Sequence, residues 1–283
     1  MNLICGLSLW LCAFVSLCFQ FSLTLCGKHR KVRPKIGSRL EGRQQVRNSI
    51  AALLLIGVFS SAGLAQPASQ DLSGIWAFGG LRTLSNETPP MTPAAQAKFN
   101  ANKPSYGPRA IPPALGNDPA GKCDPLGLVR LMLFPRPMEI IQVPGRILQF
   151  FEWNHMWRTI WTDGRKLPED PDPRWFGYSI GHWEGDTLVV NSLGFDDRTW
   201  LDQFGNPYSD EMRLEERWRR AGNTLELTMT LTDPKTYAKP WVSEKKVFRL
   251  QPKEEIREEV CVPSIEEEFN RRTRNPAAGL PGK

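Results

Sequence analysis

The chain has 283 residues, 41% hydrophobic and 23% charged, a balance that excludes wholesale disorder. The net charge is +6, but residues 1–65 hold eight of the 36 basic residues and one of the 30 acidic residues. The remaining chain carries 28 basic against 29 acidic residues, which removes the main support for a nucleic-acid partner.

Residues 1–65 read as a targeting region. Met1–Leu25 is uncharged and long enough to span a bilayer. Arg47, the apolar run Ile50–Phe59 and the small-x-small site Gly63-Leu64-Ala65 form a second, complete pattern. It predicts a secretory signal peptide over about 46–65, cleaved after Ala65 to leave Gln66 first. A start placed too far upstream, with Val46 as initiator, accounts for the first stretch. The alternative is an N-terminal membrane anchor with the basic tract Lys28–Lys35 on the cytoplasmic side. No stable span is expected in the mature chain, and the expected location is secreted or periplasmic.

Residues 66–283 are expected to form one β domain. A strand opens at Asp71–Trp76. Twelve prolines over positions 89–144 make 89–137 a mainly extended segment. Inside it, Thr92-Pro93 is an N-cap followed by proline and starts a short helix to about Asn100. Strands then follow at Met138–Val143, Ile147–Trp153, His155–Trp161, Tyr178–Trp183, Thr187–Asn191, Arg213–Arg219, Thr224–Thr232 and Trp241–Leu250. Most are separated by Gly-containing turns. Leu225, Leu227, Met229 and Leu231 alternate with polar residues, the period of a strand with one buried face. Ser264 is expected to cap a final charged helix, Ile265–Arg272.

About nine strands joined by hairpins predict an all-β fold, an antiparallel up-and-down β-barrel with short peripheral helices. A β-sandwich is the alternative. Ser73-Gly74-Ile75-Trp76 resembles the Gly-x-Trp signature on the first strand of lipocalins. That resemblance implies a ligand-binding barrel, with Arg249 of the last strand over the Trp76 ring. Trp161-Thr162-Asp163-Gly164-Arg165 and Trp183–Val190 also resemble segments of secreted soil-bacterial proteins with no assigned activity, and this supports export.

Cys123 and Cys261 are the only cysteines after residue 66. In an exported chain they are expected to form one disulfide. It would close a loop of about 140 residues, worth about 4–5 kcal/mol in the chain-entropy model. No metal site is expected, because His155 and His182 lack ligand spacing. No nucleophile elbow, dinucleotide fingerprint or phosphate loop occurs, and no cofactor is implied.

In an up-and-down barrel the turns at Asn154, Gly185 and Gly222 would share one end. The long connections 162–177, 193–212 and 233–240 would share the other. Loops over a rigid scaffold carry function, so the expected ligand site is this loop rim. Its residues are Asp163, Arg174, Trp175, Asp196, Asp197, Arg198 and Trp200, with Trp157 deeper inside. The leading expectation is an exported protein that binds an apolar or aromatic small molecule. The alternatives are a secreted hydrolase or isomerase using Asp and Arg at the rim, and an envelope interaction module. The sequence specifies no oligomeric state.

Overall fold

The computed structural model describes residues 70–281. The expected signal peptide, the cleavage after Ala65 and the upstream stretch lie outside the described residues. The strands are β1 (Gly74–Phe78), β2 (Met138–Val143), β3 (Arg146–Phe151), β4 (Met156–Trp161) and β5 (Tyr178–Glu184). They continue as β6 (Thr187–Leu193), β7 (Arg213–Ala221), β8 (Thr224–Thr232), β9 (Trp241–Val242) and β10 (Lys246–Leu250). The α-helices of five residues or more are α1 (Pro93–Ala101), α2 (Leu128–Met132) and α3 (Pro263–Phe269).

Each strand from β1 to β9 pairs with the next, and β10 pairs with both β1 and β8. β9 and β10 both run antiparallel to β8, against Thr230–Leu231 and Thr224–Leu227 respectively. The ring therefore closes with nine members. Closure removes the free sheet edges a sandwich would keep. A ring with an odd number of strands cannot alternate direction throughout. Here the exception is β4–β5, which is parallel through Ile160↔Ser179 and Trp161↔Ile180.

That pair corrects the expected arrangement of ends. The pairing directions put the turns at Gly145, Gly185 and Gly222 together at one end. Asn154 lies at the other end, with the 194–212 and 233–240 connections. The 162–177 connection brings the chain from the end of β4 back to the start of β5, because parallel strands need a crossover.

Period-two alternation builds the interior. Trp76, Met138, Ile140, Ile160, Leu188, Val190, Leu214, Trp218 and Phe248 are all at most 2% exposed. The inward face of β8 is Leu225, Leu227, Met229 and Leu231, as expected. Gly74 has φ +134°, and a Cβ there would meet Leu250 at 2.7 Å. A residue with a side chain would strain this entry into β1.

The Pro-rich segment closes one end. All five residues of α2 are buried, and Arg130 of α2 forms two hydrogen bonds to Asp118, at 2.8 and 2.7 Å. Cys123 and Cys261 are joined, with Cα atoms 5.5 Å apart. The chain after β10 is thereby tied to this segment. It is also held to the turn after β3: Cys261 donates its N–H to Asn154 Oδ1 (3.1 Å), and Arg257 donates its N–H to Glu152 Oε2 (3.0 Å).

Three local expectations need correction. The last long strand breaks at Ser243–Lys245. Ser243 donates its N–H to the Met229 carbonyl, and its hydroxyl accepts from the Met229 N–H, both at 2.8 Å. Side-chain bonding of this kind competes with a regular ladder. Thr92 does cap α1, accepting from the Ala95 N–H at 3.3 Å, but α3 starts at Pro263 without a side-chain cap, so Ser264 has no such role. Arg249 is exposed opposite Ala77. The guanidinium over Trp76 is that of Arg220, 5.2 Å from the ring centroid. Arg220 reaches it from the end of β7, held there by the Asp71 carbonyl at 2.8 Å.

Candidate functional site

The crossover from β4 to β5 folds back along the outer face of these strands and leaves a groove of about 590 Å³. β4 and β5 pair over two residues only, at the end of β4 and the start of β5, so the Trp157 end of β4 has no β5 residue beside it. Outward residues of β4 (Trp157, Thr159, Trp161) form one wall. Arg165–Pro168 and Arg174–Ile180 form the other. The wall holds five aromatic side chains: Trp157, Trp161, Trp175, Phe176 and Tyr178. It also holds three cationic side chains, Arg165, Lys166 and Arg174, and no carboxylate, while Arg158 turns its guanidinium into the lumen.

Two copies of one local device stiffen this wall. In Asp163-Gly164-Arg165, the Arg165 Nε and Nη2 donate to Asp163 at 2.9 and 2.6 Å. This sets the guanidinium 3.4 Å over the Trp161 ring. In Asp196-Asp197-Arg198, Arg198 donates to Asp196 at 2.8 and 2.5 Å and lies 4.6 Å over the Trp175 ring. Each aspartate also accepts the backbone N–H of its arginine, an Asx-type turn. Each guanidinium holds its carboxyl below the usual carboxylate range, and each carboxylate raises its arginine further. Both carboxylates are therefore ionised at neutral pH, with hydrogen bonds on both oxygens. They position arginines on tryptophan faces, a favourable cation–π geometry. Arg174 lies 4.0 Å over the Tyr178 ring. Among the described residues, no ion pair engages Arg174 or Lys166.

The sequence-predicted residues divide as follows. Trp157, Arg174 and Trp175 line the groove. Asp163, Asp196 and Arg198 act on its walls through the two clamps. The 162–177 and 194–212 segments do meet, since Arg174 donates its N–H to the Gly194 carbonyl and Asp196 to the Arg174 carbonyl, at 3.0 and 2.9 Å. Asp197 points elsewhere and pairs with Lys98 of α1 at 3.3 Å. Trp200 is 5% exposed, so it packs inside rather than standing at a rim. Trp157 is 58% exposed on the outer surface. It is not deep in the lumen, because Arg158 and Ile160 take the inward positions of β4.

Inside the barrel lies a polar network absent from the residues expected at the site. Arg158 donates to Glu216 at 2.8 and 2.5 Å, to Gln149 at 2.6 Å and to Ser179 at 3.3 Å. Trp218 Nε1 donates to Glu216 at 2.8 Å, and Ser179 bonds Ser192 at 2.8 Å. Both ion-pair partners are almost wholly buried. The signal was present: Arg158 alternates in phase with Ile160, and Glu216 with Leu214 and Trp218, so the strand period places both inside.

Among the described residues, no three His, Cys, Asp or Glu side chains gather as a metal site. No described helix is long and apolar enough to cross a membrane. No protein-family model, curated protein or solved structure matches the chain.

Proposed function

We propose that this protein binds an apolar or aromatic small molecule carrying an anionic group, in the groove beside β4. The observation that carries the reading is a concave wall of five aromatic side chains and three cations, Arg165, Lys166 and Arg174, with no carboxylate. Ligand sites are typically apolar clefts with a few oriented polar groups. Two of the aromatic faces are held by their arginine clamps, which lowers the ordering cost of binding. Arg174 and Lys166, free of ion pairs among the described residues, are the groups left to meet an anion. The lumen, by contrast, is packed with Trp76, Trp218 and Phe248, so the groove outside the wall is the favoured site. Export belongs to the same proposal, and the Arg47–Ala65 pattern and the single disulfide support it.

Titration with 2-naphthoate, followed by tryptophan fluorescence, tests the reading. We expect saturable quenching, weaker with neutral 2-naphthol. Trp157→Ala should weaken binding at least tenfold with the urea midpoint nearly unchanged, since the side chain is largely exposed. The double variant Lys166→Gln/Arg174→Gln should remove the preference for naphthoate over naphthol. Equal affinity of Trp157→Ala and the parent would reject the groove as the site.

A further inference from the structure

A second cavity lies apart from the aromatic groove, where the segment after β1 meets the β6–β7 connection. It is a cleft of about 420 Å³ and includes Thr83, Phe99, Tyr106, Arg109, Phe204 and Asn206 in its wall. Its polar side is built on Asp202, which is 0% exposed. The Asp202 carboxylate accepts from Thr83 Oγ1 at 2.5 Å, Asn206 Nδ2 at 2.7 Å, and the N–H groups of Phe204 and Asn206 at 2.9 and 3.3 Å. Burial nevertheless pushes this carboxyl above its usual range, against the pull of those bonds.

The network orients Asn206. Its amide nitrogen is committed to Asp202, so its oxygen is the end left over. That Oδ1 is buried and has no hydrogen-bond partner, and the residue is only 4% exposed. Arg109 stands in the same wall. Its guanidinium stacks 3.9 Å over Phe99, and Nη2 donates to the Asn102 carbonyl at 2.6 Å. Its Nη1 is buried without a partner. Two residues of one wall thus each keep a buried polar atom with no protein partner, and buried polar atoms are normally satisfied. The remaining lining is aromatic: Phe99, Tyr106 and Phe204.

We propose that this cavity binds a neutral aromatic carboxamide. The ring packs against the aromatic lining. The carbonyl oxygen accepts from Arg109 Nη1, and the amide N–H donates to Asn206 Oδ1. A carboxylate satisfies Arg109 but brings no proton for Asn206. A cationic amine satisfies Asn206 but leaves Arg109 unpaired beside a like charge. A site with a hydrogen-bonding wall discriminates strongly against analogues that leave its groups unpaired.

The test is calorimetric titration of the full chain with benzamide, benzoate and benzylamine. Benzamide should bind saturably and at least tenfold more tightly than either charged analogue. Arg109→Met should lower its affinity at least tenfold. Asn206→Ala disturbs the buried Asp202 network, so Tyr106→Ala serves as the second variant. Tyr106 is 54% exposed, and its loss should weaken benzamide binding at least threefold in a folded protein. Trp157→Ala, in the other groove, should leave benzamide affinity unchanged. The proposal is overturned by absent saturable binding at millimolar benzamide, by equal affinity for benzoate, or by unchanged affinity in Arg109→Met and Tyr106→Ala. Loss of benzamide binding in Trp157→Ala would also overturn it by placing the ligand in the groove.

Discussion

Lys246 shows how one side chain registers the strand period at a cost. It sits on the inward face of β10, 2% exposed, with its ammonium 3.3 Å from the Leu81 carbonyl. Burial pushes its pKa below the ordinary 10.5, and the nearby Glu244 charge opposes the shift. The sign follows from proton counting. Between the folded value and 10.5, the unfolded chain holds a proton that the native state has given up, so stability rises with pH across that window. Below it, the native state carries the full cost of a buried charge. Lys246→Met should therefore raise the urea midpoint at pH 7, with the gain shrinking toward pH 10. A gain of the same size at both pH values would mean that the effect is packing alone. Orientation is also what misled the reading of other single residues. Trp157, expected deep inside, stands on the outer groove, and Trp200, expected at a rim, is buried. Nor does the last-strand position of Arg249 reveal that the longer reach of Arg220 fills the place over Trp76.

At the level of elements, β2 and β8 have the bounds expected from sequence, and the other strands from β3 to β7 differ at their ends by one or two residues. Their alternation and turn glycines are local signals, and these survive tertiary packing. The parallel β4–β5 pair was not legible, because nothing local distinguishes a crossover from a long hairpin loop. That one pair moved Asn154 to the opposite end and placed the groove outside the wall instead of at a barrel mouth. The clamps were half legible. Asp196-Asp197-Arg198 and Asp163 stood out as charge clusters, but which tryptophan each arginine covers depends on the crossover path. The Arg158–Glu216 pair joins β4 to β7 through the lumen and makes a prediction at this scale. Removing one partner leaves the other charged and buried, so Arg158→Met alone should cost about 3–5 kcal/mol in urea unfolding. Replacing both, as Arg158→Met/Glu216→Leu, should recover most of that loss, because a packed apolar pair of similar volume is often neutral or stabilising. A double variant no more stable than the single one would show that Gln149, Ser179 and Trp218 depend on the charges for their own satisfaction.

On the scale of the whole molecule, a nine-member ring with one parallel pair relies on what covers its ends and outer wall. The long insertion between β1 and β2 supplies α2 as a plug. The chain after β10 runs back to the turn after β3, and the disulfide joins these two parts. This bridge was legible because only two cysteines follow residue 66, so the pairing needed no geometry. It closes a sequence separation of 138 residues, for which the chain-entropy model gives about 4–5 kcal/mol. The barrel itself does not depend on the bond: β5–β8 form a continuous set of hairpins with nine paired positions between β7 and β8 alone. Cys123→Ala/Cys261→Ala should therefore fold, with unfolding free energy lowered by about 3–5 kcal/mol. Hydrogen exchange should then rise in two places, residues 113–132 and 251–262, while β7 and β8 keep their protection relative to global unfolding. Exchange rising evenly over all strands would show instead that plug, strap and barrel open as one cooperative unit, and that the bond acts only through the unfolded chain.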